Sequence, residues 1–277
     1  MKRDANEFSG SMNELKQELI KTKKRAERAE KLKSAFLNNI SHEIRTPLNG
    51  ILGFLDFFDD NLDSDDRDHF IAIMRKSGER LLSTVEKIIE ISKLESGNME
   101  LNKSVFNLDE ALNEFNCIIK QKYANPNINY LCTLETLEEQ TQVLADRFKM
   151  FEIVESLIDN AYKFTNEGFI KLNIKQEKNT LILEVEDTGI GIRNEDRNII
   201  FEPFRQADFH LNRNYDGNGL GLTISKRLIQ IMGGKLKYET PEHNGARFIC
   251  TFPGVVVYNH KKIDNKEKTK SATKHYL

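Results

Sequence analysis

Two charged stretches near the start of the chain each carry one apolar stripe, and this pattern restricts the possible folds more than any other feature. In the first stretch the stripe recurs at spacings of 4, 3, 4 and 3, at Ile40, Ile44, Pro47, Ile51 and Phe54. The second stretch continues the pattern at Phe70, Met74, Ser77, Leu81, Val85, Ile88 and Ile91. Two antiparallel helices with one stripe each cannot close a core alone. The sequence therefore predicts a homodimer in which two copies form a four-helix bundle.

His42 lies two residues from both Ile40 and Ile44, which places it on the far side of the first helix. An exposed imidazole can act as a nucleophile through one ring nitrogen, while a neighbouring carboxylate orients the other N–H and accepts its proton. Glu43 is such a carboxylate. Pro47 predicts either a bend that lets the helix adjust around His42 or a helix boundary. This chemistry requires a phosphoryl or acyl donor elsewhere in the chain.

Upstream of His42, a weaker heptad pattern runs in phase into the same helix. Its positions alternate spacings of 3 and 4, at Met12, Leu15, Leu19, Thr22, Ala26, Ala29, Lys33, Phe36 and Ile40. The pattern favours a parallel dimeric coiled coil that carries an input signal, and the alternative is a solvated helix with accidental periodicity. The acidic run from Phe57 to Arg67 is expected to connect the two helices, and Gly97 is expected to end the second.

Composition excludes several classes of function. The 277 residues suffice for two modest domains, and 41 Lys+Arg against 43 Asp+Glu give no support for nucleic-acid binding. Cys117, Cys132 and Cys250 lie far apart without metal-binding spacing, as in a reduced cytosolic protein. No apolar run approaches the roughly 18 residues of a membrane helix. We therefore expect a cytoplasmic chain, or the cytoplasmic portion of a longer, membrane-anchored sensor.

From about residue 101 the pattern changes to mixed helices and strands, which predicts an α/β sandwich after the all-α antiparallel hairpin. The expected helices are 109–121, 147–164 and 221–232, and the expected strands are 128–134, 169–175, 181–186, 235–238 and 247–252. The chain is thus divided into an N-terminal helical segment, a helical hairpin, an α/β domain and a disordered polar tail, at residues 1–33, 34–100, 101–254 and 255–277.

Two glycine-bearing segments of the α/β region are candidates for binding a nucleotide. The first, DTGIGI, follows a predicted strand, and the second, GNGLGL, precedes a predicted helix. Glycines let the backbone approach a ligand closely, and the free N–H groups at a helix start attract phosphate. Asp187 in the first segment suits the exocyclic amine of adenine, although a turn-initiating Asp is an equal alternative for that motif alone.

The predicted helix 147–164 and the segment after DTGIGI add further candidates. Asn160 offers an amide oxygen to Mg²⁺, and Lys163 on nearly the same face offers a cation to phosphates. Taken alone, an Asn in the middle of a helix is more often an ordinary surface residue. The segment 192–215 is long and poorly patterned, which is typical of a functional lid or of a disordered segment. Its two phenylalanines, in FEPF, favour a lid that docks against the domain.

These motifs together resemble the core of a bacterial sensor histidine kinase of a two-component system. The chain shows an H-box in SHEIRTPL, an N-box in SLIDNAYKFT, a first glycine box in DTGIGI, an F-box in FEPFRQAD and a second glycine box in GNGLGLTISK. They follow one another in the family's order over roughly residues 34 to 253. The resemblance implies a dimerisation and histidine phosphotransfer domain followed by a Bergerat-type ATP-binding catalytic domain.

The resemblance also implies catalytic roles. His42 would take the γ-phosphoryl group of ATP and pass it to an aspartate of a response regulator receiver domain. Glu43 would act as the general base. Thr46, with Glu43, matches the position that orients water when the phosphorylated response regulator is dephosphorylated. The implied partners are a second copy of the chain and the receiver domain, and the implied cofactors are ATP and Mg²⁺.

In the ATP-binding domain, the resemblance assigns Mg²⁺ to Asn160, the phosphates to Lys163, the adenine face to Phe164 and the adenine amine to Asp187. The remaining residues would shape the pocket and its lid: Gly189, Gly191, Gly217, Gly219, Gly221 and Leu222.

Two positions depart from the family pattern. Ser156 stands where many members have a second Asn near the metal; its hydroxyl can bind Mg²⁺ or a metal-bound water, but its side chain is shorter. Gln206 stands where many members have an Arg that contacts phosphate, and Arg205 or Arg213 is expected to replace it. These departures leave open an alternative function, an ATP-binding dimeric scaffold or phosphatase-dominant regulator with weak kinase activity. Another Bergerat-fold ATPase is a further alternative, but it has no use for the SHEIRTPL helix.

Overall fold

The computed structural model describes residues 2–55, 63–135, 141–197, 199–203 and 219–257. The chain divides into two compact units between Glu86 and Lys87. The first unit is helical, and the second combines helices with two β-sheets.

The helical unit is formed by α1 (Lys2–Leu55) and most of α2 (Ser64–Glu95). The rings of Phe54 and Phe70 lie 5.2 Å apart, and the Arg80 guanidinium lies 3.8 Å from the Glu43 carboxylate. The end of α1 therefore contacts the start of α2, and an earlier part of α1 contacts a later part of α2. This order confirms the predicted antiparallel hairpin. The predicted connection, residues 57–67, extends too far, because α2 already begins at Ser64; residues 57–62 lie outside the described residues.

Helix α1 continues without interruption through Pro47, whose side chain is buried. Pro47 is therefore not a helix boundary, while the predicted bend stays a prediction. Proline has no N–H, so the carbonyl of Glu43, four residues earlier, lacks its usual helical donor. The backbone ladder is thus interrupted at the residue that follows His42.

A second apolar row on the hairpin remains exposed. Leu48, Leu52 and Leu55 on α1 are 39%, 50% and 50% exposed, and Leu82 on α2 is 60% exposed. A helix pair with this much apolar surface in water has the character of one half of a larger bundle. The upstream heptad region is helical as well, and its pairing into a coiled coil stays a prediction. None of the described helices carries an apolar stretch that could cross a bilayer.

The described part of the second unit has eleven further elements. In chain order they are β1 (Ser104–Asn107), α3 (Leu108–Lys122), β2 (Ile128–Glu135), β3 (Gln142–Ala145), α4 (Arg147–Phe164), β4 (Gly168–Glu177), β5 (Thr180–Asp187), α5 (Gly221–Ile231), β6 (Lys235–Glu239), β7 (Ala246–Phe252) and β8 (Val256–Val257). A five-stranded sheet has the order β2-β4-β5-β7-β6, in which β2 and β4 are parallel and the other pairs antiparallel. A smaller sheet has the order β1-β3-β8.

Alternation along the strands explains why the large sheet has one buried face. In β4, Ile170, Leu172 and Ile174 are fully buried, while Lys171 and Lys175 lie on the other face and are half-buried. Helices α4 and α5 contact strands of this sheet, and α3 packs on α4 through the stacked rings of Phe115 and Phe151, 4.8 Å apart. This arrangement confirms the predicted α/β sandwich.

Helix α4 begins and ends where the sequence predicts. Asp146 precedes it and caps its first turn, because the carboxylate accepts the N–H of Lys149 at 3.0 Å. The other carboxylate oxygen of Asp146 accepts the N–H of Asn102 at 2.8 Å. One aspartate thus fixes both the start of α4 and the chain that leads into the domain.

The three strands of the smaller sheet were not predicted, because stretches of four, four and two residues are too short to show alternation. The prediction that disorder begins at residue 255 is wrong for its first residues. Val255 and Val256 are buried, and Val256 pairs with Val143. The rest of the predicted tail, residues 258–277, lies outside the described residues.

Candidate active site

His42 lies on α1 with its side chain 75% exposed, as the stripe geometry predicts. Its Nδ1 lies 4.0 Å from Oε1 of Glu43, which is an ion-pair distance and longer than a hydrogen bond. Glu43 therefore lies on the Nδ1 side of the ring, and Nε2 lies on the opposite side. Glu43 itself is only 19% exposed, and its other oxygen lies 3.8 Å from Arg80.

Arg80 is a residue of this site that the sequence analysis missed. It belongs to α2, and its guanidinium holds the Glu43 carboxylate from the opposite helix. No local pattern marks it, since an arginine on a charged helix is expected on any solvated face. Thr46 is exposed one turn after His42, and its hydroxyl donates to the His42 carbonyl at 3.1 Å.

In the second unit, Asp187 ends β5 and is only 5% exposed. Its Oδ1 accepts the N–H of Gly189 at 2.9 Å and the N–H of Ala246 at 3.2 Å. Among the described residues, no donor contacts Oδ2. Burial raises the pKa of the Asp187 carboxyl, and the two backbone donors offset part of this effect. The arrangement fixes one oxygen and leaves the other for a ligand with an N–H donor.

Close backbone contacts around Asp187 explain the glycines. A Cβ on Gly189 would lie 2.3 Å from the Phe164 carbonyl oxygen, which accepts the N–H of Ile190 at 3.2 Å. Gly191 has a φ of +70°. Gly245, which the sequence analysis missed, has a φ of +77°, and a Cβ there would lie 2.0 Å from the Asp187 carbonyl oxygen. The Asn-Gly pair that it forms with Asn244, between β6 and β7, is the turn signal that would have revealed it.

Thr165 lies in the same region and was also missed. It is 2% exposed, and its hydroxyl has no hydrogen-bond partner among the described residues. A Cβ on Gly189 would lie 2.9 Å from this hydroxyl, so the two residues are neighbours. This buried hydroxyl, next to the glycine whose N–H binds Asp187, is available to hydrogen-bond to a ligand.

Helix α4 carries the predicted metal and phosphate ligands. Asn160 and Phe164 are half-buried. Lys163 pairs with Asp159 one turn earlier on the same helix, a partner that the sequence analysis did not consider. Ser156 faces the start of α5, because its Oγ lies 2.7 Å from the position of a Cβ on Gly221.

The start of α5 contacts the described part of the predicted lid. The Thr223 hydroxyl donates to the Phe201 carbonyl at 3.1 Å, and the Lys226 ammonium lies 4.6 Å from the centre of the Phe201 ring. The Phe201 ring also meets Phe248 edge-on at 6.4 Å. The first phenylalanine of FEPF is therefore docked, as predicted. Gly219 has a φ of +63° and Leu222 is half-buried, whereas Arg205, Gln206, Arg213 and Gly217 lie outside the described residues.

Two family models match separate parts of the chain. Residues 32–97 match the His Kinase A (phospho-acceptor) domain. Residues 145–255 match the histidine kinase-, DNA gyrase B- and HSP90-like ATPase family. The chain thus joins a phospho-acceptor domain to an ATPase domain, the combination that defines a protein histidine kinase.

Individual proteins that are similar to this chain are also described as sensor or histidine kinases. The chain is 32% identical over 237 residues to the autoinducer 2 sensor kinase/phosphatase LuxQ of Vibrio parahaemolyticus, covering 83% of this chain and 28% of LuxQ. The histidine kinase ThkA, solved in complex with the response regulator protein TrrA, is 29% identical with a TM-score of 0.64, covering 84% of this chain and 65% of ThkA. Full-length ShkA, solved with AMPPNP, is 28% identical with a TM-score of 0.62, covering 82% of this chain and 46% of ShkA.

The chain belongs to the sensor histidine kinases of two-component systems. It spans just over a quarter of the length of LuxQ, 28%.

Proposed function

We propose that this protein is an ATP-dependent protein histidine kinase that phosphorylates its own His42 and passes the phosphoryl group to a receiver-domain aspartate of a response regulator. The observation that carries the proposal is the exposed His42 imidazole with Glu43 on its Nδ1 side, within a matched phospho-acceptor domain. The match to an ATPase family in the second unit supports ATP as the donor.

In the proposed nucleotide complex, Asp187 Oδ2 accepts the adenine amine, and the Thr165 hydroxyl bonds to the same base. Both groups are buried and have unused hydrogen-bonding capacity. Phe164 at the end of α4 covers the adenine face, and Lys163 neutralises phosphate charge.

Oxygen ligands from α4 fit Mg²⁺. Asn160 supplies an amide oxygen and Ser156 a hydroxyl, one turn apart on the helix. When bound, Mg²⁺ would neutralise charge on the phosphates. Since Mg²⁺ usually takes only one or two protein ligands and fills the rest with phosphate and water, two such side chains suffice. Removing divalent metal with EDTA is expected to abolish labelling, and excess Mg²⁺ to restore it.

In the proposed transfer, Nε2 of His42 forms a bond to the γ-phosphorus while the bond to the β–γ bridging oxygen breaks, and ADP leaves. The proton on Nδ1 passes to the Glu43 carboxylate, so the imidazole ring is uncharged once Nε2 carries the phosphoryl group. Arg80 keeps the Glu43 carboxylate in position for this transfer. Its contact with Glu43 supports a positioning role and not contact with the reacting atoms.

A second copy of the chain is the proposed partner of the hairpin, because the exposed row of Leu48, Leu52 and Leu55 requires cover. The receiver domain is the second proposed partner. It fits the exposed His42, which must be reached by an aspartate from another protein after phosphorylation.

The test is labelling of the full chain with γ-labelled ATP. We expect an acid-labile, alkali-stable label that is lost in His42→Gln. His69→Gln is the matched control, since His69 is an exposed histidine of the same hairpin, and it should label normally. Persistent labelling of His42→Gln would refute the assignment, and ATP binding without any label would favour the scaffold alternative.

Dephosphorylation of the receiver is a second candidate activity. The Thr46 side chain is exposed one turn from His42, where it can hold a water near a docked phosphoaspartate. The name of LuxQ includes phosphatase activity for that relative. With a phosphorylated receiver domain as substrate, Thr46→Ala is expected to slow phosphate release while His42 labelling persists. Equal loss of both activities would argue against a separate role for Thr46.

A further inference from the structure

The Asp159 carboxylate is shared between two partners. Its Oδ1 accepts the Tyr123 hydroxyl at 3.0 Å, and its Oδ2 pairs with the Lys163 ammonium. Tyr123 ends α3 and stacks on Tyr162, with ring centres 4.6 Å apart and planes 9° from parallel. The Asp159 carboxylate, next to Asn160, is therefore held by Tyr123 at the end of α3. The same carboxylate pairs with Lys163, the cation proposed to bind phosphate.

We propose that Asp159 is a resident anion that competes with the nucleotide phosphates for Lys163, and thereby sets the affinity of the site for ATP. The proposal deepens the proposed function and rests on it. Asp159 acts through Lys163, so it is a positioning residue and need not contact ATP.

Because both side chains are partly exposed, breaking the Lys163–Asp159 ion pair costs little free energy. The Lys163 and Asp159 side chains are 32% and 36% exposed and lie at i and i+4 of one helix. Such a pair changes an equilibrium constant by only about two- to fivefold in water. Hydrogen bonds between an ammonium and a phosphate are charge-assisted and stronger, so ATP can take Lys163 from Asp159.

Tyr123 keeps Asp159 in place when Lys163 leaves. Burial, followed by the charge of Asp159, raises the pKa of Tyr123 to about 12, so its hydroxyl remains a donor at neutral pH. The Lys122 ammonium lies 5.1 Å from the centre of the Tyr123 ring, a cation–π distance that further stabilises the position of the ring. Lys87, at the start of this unit, is a further cation near the pair. Burial, and then the charge of Lys163, lowers the Lys87 pKa, while the charge of Asp159 raises it.

The test compares Asp159→Asn with wild type in the full chain, using MgATP and adenosine as probes in titration calorimetry. Asn keeps an acceptor for Tyr123 but removes the charge that holds Lys163. We expect MgATP to bind about two- to fivefold more tightly and adenosine, which has no phosphate, to bind as before. The labelling rate at saturating ATP should stay the same, so the change should appear in KM and not in kcat.

Two further variants keep the test decisive. Glu152→Gln is the matched control, because Glu152 lies two turns earlier on α4 and pairs with Lys149 at 2.7 Å instead of Lys163; MgATP affinity should not change. In a Lys163→Met background, Asp159→Asn should lose most of its effect.

An equal effect with and without Lys163, or an equal change in adenosine binding, would overturn the proposal in favour of a structural role for Asp159. If the wild-type chain binds no MgATP, the proposed function itself fails. If it binds MgATP and Asp159→Asn binds it equally well, only this inference fails.

Discussion

Gly245 offers a direct test of the backbone contact that holds Asp187. Replacing it with alanine puts a Cβ 2.0 Å from the Asp187 carbonyl oxygen, in a residue whose φ is +77°. The left-handed conformation costs about 1–2 kcal/mol for a residue with a Cβ, and forcing atoms into filled space costs about 1–3 kcal/mol more. We therefore expect Gly245→Ala to reduce the free energy of unfolding of the second unit by about 2–5 kcal/mol.

Gly233→Ala is the control that separates strain from contact. Gly233 has a φ of +80°, but a Cβ there would meet nothing within 4 Å. The free energy of unfolding of Gly233→Ala should therefore fall only by the cost of the left-handed conformation, about 1–2 kcal/mol. The two variants can be compared by urea unfolding followed by far-UV circular dichroism, since the chain has no tryptophan.

The same substitution should weaken ATP binding, because displacement of the turn moves the Ala246 N–H away from Asp187. A hydrogen bond to a charged group contributes about 1.5–3 kcal/mol, which corresponds to roughly a 10- to 150-fold weaker affinity. Gly233→Ala should bind ATP normally. If Gly245→Ala were no less stable than Gly233→Ala and bound ATP equally well, the close approach of this turn to Asp187 would not matter in solution.

Three further predictions concern individual side chains. Glu43→Gln is expected to slow labelling of His42 by about 10²–10⁴-fold, with ATP affinity unchanged in calorimetry. Arg80→Gln should slow labelling less than Glu43→Gln, and it should have no further effect in the Glu43→Gln background, which a double-mutant comparison of initial rates can check. Asp187→Asn should abolish ATP binding yet stabilise the fold at pH 7. Because burial raises the folded-state pKa of Asp187, its ionised form opposes folding, and the gain should disappear as the pH falls below about 4, where the wild-type carboxyl is protonated when unfolded as well.

Local patterns in the sequence predict much of this fold because the responsible forces are themselves local. Helix α4 starts at a capping aspartate and its limits match the prediction, and β7 alternates buried and half-buried residues along its whole length. The small sheet could not be predicted, because its strands are held by pairing with segments far along the chain, such as Val143 with Val256. A two-residue strand has no pattern of its own.

The same distinction applies to the candidate site. His42, Asp187 and Asn160 lie in contiguous motifs, so their residue types and spacing were informative. Arg80 and Ala246 act through contacts with residues distant in sequence, and Ala246 offers only its backbone N–H, which any non-proline residue has. Asp159 was visible within SLIDNAYKFT, but its partner Tyr123 comes from another helix.

The second compact unit also includes the end of α2, which precedes the predicted start of the α/β domain at residue 101. The unit begins at Lys87 and includes the last turns of α2, where Ile91 and Leu94 are 3% and 7% exposed. Lys149 of α4 bonds to Glu90 at 2.5 Å and to Glu152 at 2.7 Å. Helix α2 therefore contributes both apolar surface and an ion pair to the unit that carries the nucleotide residues.

A fragment of residues 101–257 should consequently be less stable than one of residues 87–257. Burying two large aliphatic side chains contributes about 3–6 kcal/mol as an upper estimate, which is a large part of the stability of an ordinary domain. Glu90→Gln in the longer fragment separates the ion pair from the apolar burial, since it removes the ion pair and keeps Ile91 and Leu94. It should reduce the free energy of unfolding far less than the truncation does. Urea unfolding of the three proteins measures the difference. If the two fragments are equally stable, the end of α2 contributes nothing to the stability of the second unit. If the shorter fragment is much less stable, the end of α2 is a structural part of that unit.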